Sequence, residues 1–295
     1  MKTQFFFVPI LFLAGALFCS AQSIERQVIA SSGDYFEGAN ISLSWTLGEI
    51  ATETFTGGNL ILTQGFQQPG VTLRINADLT AFLEGPYNGT DMGTDLNILP
   101  DFPLSQPYNQ APWNYNGTEN VSSLPNPGIV DWILVELRDA ESASSATPGT
   151  RIATKAGFIL ADGSVVDLDG SSELHFDVTV DNNLFVVLWH RNHLGMMSAF
   201  PLTESAGVYT YNFTTAMGMA YLNGQKSLNG SVYGMYAGDA DGNPEINIAD
   251  LTYWQTQAGT KGYKSGDFSM DGEVNNPDKN DHWFENISVQ SQVPE

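Results

Sequence analysis

Two acidic segments of twelve residues each, written in the same grammar, constrain the C-terminal part of this chain more than any other feature. The first runs from Asp239 to Asp250 and carries oxygen-bearing side chains at its positions 1, 3, 5, 9 and 12, namely Asp239, Asp241, Asn243, Asn247 and Asp250. The second runs from Asp267 to Asp278 and places Asp267, Ser269, Asp271, Asn275 and Asp278 at the same positions. The two starts lie 28 residues apart. Side chains aimed inward at alternate positions, with a carbonyl added at position 7, can supply the roughly six to eight oxygens that a hard cation such as Ca²⁺ requires. Glu245 and Glu273 stand at position 7 and would give those carbonyls.

An apolar residue follows at position 8 of each segment, Ile246 and Val274. These two residues are expected to face a core and to pair the loops through a short backbone bridge. Each loop then feeds a helix. Residues 250–258 carry Leu251 and Trp254 ahead of Gly259, a glycine suited to a helix stop, and Pro277 stands where a first helical turn tolerates proline.

The pair resembles a dockerin repeat of type I, a calcium-loop-plus-helix module with Asp at position 12, over about residues 238–286. An EF-hand usually has a bidentate Glu at position 12 and an entering helix, whereas Gly- and Tyr-rich sequence precedes Asp239. Pro244 stands where position 6 of the pattern has glycine, so the first loop must make its sharp turn differently. The resemblance implies Ca²⁺ as cofactor and a cohesin-like domain as a partner. Family members dock through positions 10 and 11, often a hydroxyl pair, and this chain has Ile248 and Ala249 in one loop and Asn276 and Pro277 in the other. Cohesin binding therefore does not carry over residue by residue, and a loop pair that only caps the fold stands beside it as an alternative.

The start of the chain reads as a secretory leader: Lys2, an apolar run from Phe5 to Phe18, then Cys19-Ser20-Ala21, with cleavage expected after Ala21. A lipoprotein reading would acylate Cys19, but Phe18 sits before it where a small residue is expected. Cys19 is the chain's only cysteine, so its removal leaves no disulfide and no thiol nucleophile. No later stretch is long and apolar enough to span a bilayer. With 33 acidic and 11 basic residues the formal charge is −22, which disfavours nucleic acid and anionic lipid as partners and favours cations and neutral ligands.

Short β patterns fill the rest. Strands are expected at 26–30, 41–47 and 60–66, forming a small module over 22–70. Further candidates at 71–83, 132–138, 154–160, 174–180, 184–190 and 208–213, separated by Asp-Gly and Asn turns, predict an antiparallel β-sandwich over 71–236. Residues 237–295 would form the calcium module. From residue 71 onward the chain resembles the C-terminal region of large bacterial surface proteins, which implies an adhesion or polysaccharide-associated role outside the cell.

Residues 84–129 interrupt the strand rhythm with seven prolines interleaved with aromatics. Disordered linkers seldom carry so many aromatics, so this segment is expected to pack over the sandwich. Tyr108, Trp113 and Tyr115 either pin it there or form a shelf on which sugar rings stack. His190, Arg191, Asn192 and His193 form a tempting cluster, but a separation of three puts the two imidazoles on opposite faces of a continuous strand. Glu136 or Asp139 is the expected partner of Arg191. The sequence contains no Gly-Xaa-Ser-Xaa-Gly elbow and no glycine-rich phosphate loop before a helix, and no pair of its acids can be singled out for glycoside cleavage. The reading is a secreted or cell-surface, calcium-binding, non-catalytic β protein, with a polysaccharide hydrolase tethered through its tail as the alternative.

Overall fold

A computed structural model describes four N-terminal strands by their backbone and residues 75–295 in full. The expected leader at 1–21 and the strand expected at 26–30 lie outside the described residues. The chain divides into two compact units, Met1–Gly70 and Val71–Glu295. In the first, β1 (Ser32–Gly38) pairs antiparallel with β2 (Ile41–Leu47), and β3 (Thr54–Gly57) with β4 (Leu60–Thr63).

The second unit is built on one nine-stranded curled sheet. Its strands are β5 (Ile75–Thr80), β6 (Ile129–Ala140), β7 (Arg151–Leu160), β8 (Ser164–Val166), β9 (Leu174–Phe176), β10 (Asn183–Trp189), β11 (Met196–Met197), β12 (Thr203–Ser205) and β13 (Val208–Asn212). Their order is β11-β10-β6-β7-β8-β5-β13-β12, with β9 also on β5. The expected mostly β body is present. One pairing departs from the antiparallel expectation: β13 runs parallel to β5, Val208 opposite Asn76 through Asn212 opposite Thr80. Parallel neighbours need a long crossover, and here everything between β5 and β13 provides it. A small hairpin, β14 (Lys226–Ser227) with β15 (Tyr233–Gly234), follows.

Strand β6 explains where the core sits. Its sequence IVDWILVELRDA is apolar almost without alternation, the mark of a strand covered on both faces, and all but one of its residues are buried. The main core gathers Trp132, Phe158, Leu79, Leu83 and Phe213, with the Trp132 and Phe158 rings 4.2 Å apart. A smaller cluster of Ala140, Ala146, Phe185, Val187 and Met197 is separate from it. Three charged side chains on β6 are also buried and each has a partner. Asp131 meets Arg191, and Glu136 meets Arg138 at 2.7 Å.

The proline-rich segment 84–129 packs onto this body. Tyr108 is fully buried and donates its hydroxyl to the Trp132 carbonyl at 2.8 Å, while the Trp132 indole N–H donates to the Pro103 carbonyl at 2.8 Å. These reciprocal bonds and the buried Phe102 tie the segment to β6. Among the described residues no helix is long and apolar enough to cross a membrane.

Candidate metal centre

The two acidic segments fold alike. Asp239, Asp241 and Asp250 each turn a carboxylate oxygen into one space, all within 4.8 Å of one another, an arrangement that could hold a metal ion. At position 12, Asp250 uses one oxygen to accept the N–H groups of Ala240 (2.8 Å) and Asp241 (3.2 Å), and the other to accept that of Asn247 (2.8 Å). Asp278 repeats this in the second loop, accepting from Ser269 (2.8 Å) and from Asn275 (2.7 Å). The same position-12 residue thus ties the start of each loop to its end. Asx turns shape the middle: Asn243 accepts from the Glu245 N–H at 2.8 Å, and Asp271 from the Glu273 N–H at 2.9 Å.

Position 4 takes the left-handed conformation in both loops, as Gly242 (φ 72°) and Met270 (φ 61°). The second loop takes it again at position 6, Gly272 (φ 86°). Pro244 cannot follow, because its ring fixes φ negative. The first loop therefore makes its left-handed turn at Gly242 alone, with the Trp113 ring so close that a Cβ there would lie 2.7 Å from it.

The expected bridge between the loops is replaced by a reciprocal one. Ile246 donates its N–H to the Val289 carbonyl (2.9 Å) and accepts from Ser288 (2.8 Å), beyond the second helix. Val274 donates to the Thr260 carbonyl (2.9 Å) and accepts from Gly259 (2.8 Å), beyond the first. Position 8 of each loop pairs with the segment that leaves the other loop's helix. The neighbouring position-6 carbonyls, Pro244 and Gly272, accept from the same facing segments, so Glu245 and Glu273 at position 7 lie between bridge bonds without contributing to them. The Glu273 side chain turns to Lys261.

Helix α1 (Ile248–Gln257) begins with a capping box, Asn247 accepting from Ala249 and Asp250 accepting from Asn247. After the second loop, a π-helical turn at Asp278–Trp283 runs on into α2 (Phe284–Asn286). Trp254 on α1 donates its indole N–H to the Asn275 carbonyl at 2.7 Å, and Trp283 donates to the Asn247 carbonyl at 2.8 Å. The asparagines are 28 residues apart and the tryptophans 29. The rare π turn takes up that extra residue and lets the second indole reach the equivalent carbonyl. Ile246, Phe268 and Trp283 form the buried core beneath, joined by Leu194 of the sheet-bearing body.

Electrostatics set these loops apart from a solvated acidic surface. Burial, then repulsion from Asp250 and Asp241, pushes the Asp239 carboxyl well above the usual carboxylate range. Burial and Asp241 push Asp250 up to about 6. Burial, opposed by Arg191 and reinforced by Asp278, pushes Asp267 up to about 7, and burial also raises Asp278. Asp239 is 1% exposed, and its Oδ1 has no hydrogen-bond partner; the Oδ1 of Asn275, at position 9 of the second loop, is likewise buried and unpartnered. Orphaned acceptors beside mutually repelling carboxylates fit a hard cation, whose charge offsets the repulsion and whose shell takes such oxygens.

The cluster at 190–193 anchors this module. Strand β10 ends at Trp189, so strand alternation no longer applies, and the His190 and His193 rings meet edge to face at 4.9 Å. Burial, foremost, lowers both imidazole pKa values. Arg191 pairs with Asp131 at 2.8 Å, not with Glu136 or Asp139; Glu136 is taken by Arg138, and Asp139 accepts the N–H groups of Asp181 and Asn182. Asn192 accepts the Gly238 and Asp239 N–H groups on its carbonyl and donates its amide to the Asp267 carbonyl at 2.6 Å, so one residue grips the first position of both loops. A second anchor is Glu84, which accepts from Asn286 (2.6 Å), Ala237 (2.9 Å) and Lys226 (2.7 Å). Neither Asn192 nor Glu84 announces this role in sequence, because both act through contacts far along the chain.

Of the aromatics considered for stacking, Tyr108 is buried and belongs to the core, while Trp113 and Tyr115 are half-buried.

No protein-family model matches the chain, and no curated protein matches it. Among solved structures it is similar to a chain of a type II cohesin–X–dockerin complex from Acetivibrio cellulolyticus, an N-terminal interface mutant. The identity is 14% and the TM-score 0.32, over 54% of this chain and 81% of that one.

Proposed function

We propose that residues 237–295 form a two-site calcium module of dockerin-like design on a secreted or cell-surface β protein. The observation that carries this reading is Asp239: a fully buried carboxylate with an unpartnered oxygen, facing Asp241 and Asp250 within 4.8 Å. In that reading Asp239, Asp241, Asn243, Asn247 and Asp250 hold one ion with the Glu245 carbonyl. Asp267, Ser269, Asp271, Asn275 and Asp278 hold the other with the Glu273 carbonyl. What supports a second site is the repeated position-12 geometry and the orphaned Asn275 oxygen. The nine-stranded sheet, curled over its core, would serve as a sandwich-like platform that presents the module.

The role of such a platform is assembly or polysaccharide association rather than catalysis. Ile248, Tyr253, Phe284 and Ile287 are exposed on the module, and apolar side chains of this size left in water suit a protein partner such as a cohesin-like domain. Ile248 is position 10 of the first loop. Calcium titration followed by thermal unfolding tests the metal reading, because an ion that binds only the native state must raise the midpoint. An unchanged midpoint at millimolar calcium would refute it.

A further inference from the structure

A cleft of about 790 Å³ opens between the aromatic segment at Trp113 and Tyr115, the sheet at Glu136 and Trp189, the Arg151 side chain, and the first acidic loop at residues 242–244. That size lies within the range of roughly 300–1,000 Å³ usual for small-molecule sites. Its three rings are half-buried and held in place. Trp113 lies against Gly242, the Tyr115 hydroxyl donates to the Glu119 carboxylate at 2.5 Å, and Gly195 makes room for the Trp189 ring, which a Cβ there would approach to 2.3 Å. The Trp113 indole N–H is buried without an acceptor. Glu136, 5% exposed, gives one oxygen to Arg138 and holds the other 3.6 Å from Arg151, whose side chain is half exposed.

Rigid aromatic planes offer apolar surface to the C–H faces of a sugar ring, while a planar carboxylate–guanidinium pair matches its hydroxyls. A formal charge of −22 works against an acidic ligand. We propose that this cleft binds a neutral oligosaccharide, and that calcium in the first loop tightens the binding because residues 242–244 form one of its walls. The coupling rests on the calcium reading above; the saccharide site does not.

The test is calorimetric titration of the full chain with cellohexaose, xylohexaose and mannohexaose, with trigalacturonate as the anionic control, in millimolar calcium and in chelator. Thermal unfolding is measured in the same buffers. At least one neutral oligosaccharide should bind, about fivefold or more weakly in chelator, the usual scale of coupling between sites. Arg151→Ala, at a half-exposed position away from the loop, should weaken binding about tenfold through lost charge-assisted hydrogen bonds while leaving the calcium-dependent midpoint rise intact. If none of the neutral sugars binds although calcium raises the midpoint, the saccharide site is wrong and the metal reading stands. Equal affinity in calcium and chelator removes the coupling, and preferential binding of trigalacturonate overturns the ligand class. Sugar binding without any calcium effect on unfolding would sink the metal reading alone.

Discussion

Asp239→Asn should change sign with the metal. The amide keeps the shape of the carboxylate, and the loop's hydrogen bonds to Asp241 and Asp250 do not involve position 239, so they survive the substitution. What disappears is a negative charge facing two others within 4.8 Å. At an effective dielectric near 20, two unit charges at about that separation repel by about 3.5 kcal/mol. Protonation of Asp239, whose carboxyl is already pushed well up by burial, relieves part of this in the parent. The variant should therefore gain about 2–3 kcal/mol in chelator, which for a unit of this size raises the midpoint by about 4–12 °C. In calcium the order reverses. Ion saturation at about a hundred times Kd contributes about 2.7 kcal/mol per site, and a variant short of one anionic ligand forfeits most of that at the first loop. Differential scanning calorimetry of parent and variant, each in calcium and in chelator, reads both signs. A variant less stable than the parent by the same amount in both buffers would make Asp239 an ordinary structural acceptor and refute the ligand assignment.

Asp131 predicts a separate acid limit. Burial alone would raise its carboxyl, but Arg191 and His190 outweigh burial and hold it at about 2, below the unfolded value, so its contribution is complete above about pH 4 and is lost as the pH falls through 2. The parent should lose about 2 kcal/mol relative to Asp131→Asn across that window, with the variant costing about 3–5 kcal/mol at neutral pH because it leaves Arg191 buried without its counter-charge; parallel acid profiles for the two proteins would contradict this. Asn192→Ala removes the amide bond to the Asp267 carbonyl and the contact to His193 Nδ1 at 2.8 Å but keeps the backbone carbonyl that holds Gly238 and Asp239, so it should cost about 2–4 kcal/mol and loosen the start of the second loop. Hydrogen exchange left unchanged in the second loop would show that the Asn192 amide does not hold it. Gly85→Ala places a Cβ 1.9 Å from the Phe268 carbonyl oxygen, so it should destabilise the contact between the second loop and the body by about 2 kcal/mol or more; a wild-type midpoint would show that the two backbones are not in contact there.

Much of the module was legible because its information is local. A twelve-residue spacing of oxygens and an apolar position 8 can be read from the residues alone, and helix α1 falls within two residues of its expected bounds. The strands of the sheet were legible where apolar runs are long, as in β6 and β7, and not where two or three residues suffice, as in β11 and β12. Pairing was harder. Nothing local in 208–213 says that it joins β5 in parallel, because the partner is chosen by the closure of a crossover more than a hundred residues long. Tyr108 and Trp113 look alike as loop aromatics, and only the fold decides that the first enters the core while the second lines a cleft. The Arg191 partner failed for a related reason: Asp131 and Glu136 are both on β6, and which one faces the end of β10 depends on where that strand stops.

The reciprocal bonds of the tail determine how far any calcium effect can spread. Trp254 and Trp283 each close on the other loop, and Ile246 and Val274 each pair beyond the other helix, so neither loop-helix half keeps its contacts if its twin unfolds. Asn192 grips the start of both loops, and Arg191 beside it is locked to Asp131 on the central strand. Glu84, just past β5, holds Asn286 at the end of α2. With the two ends of the module fastened to buried groups of the sheet, local opening of the tail must break sheet-side hydrogen bonds as well. An ion bound in either loop would therefore stabilise the unit from residue 75 onward as a whole, and the unfolding of that unit should stay one cooperative transition both with calcium and without it.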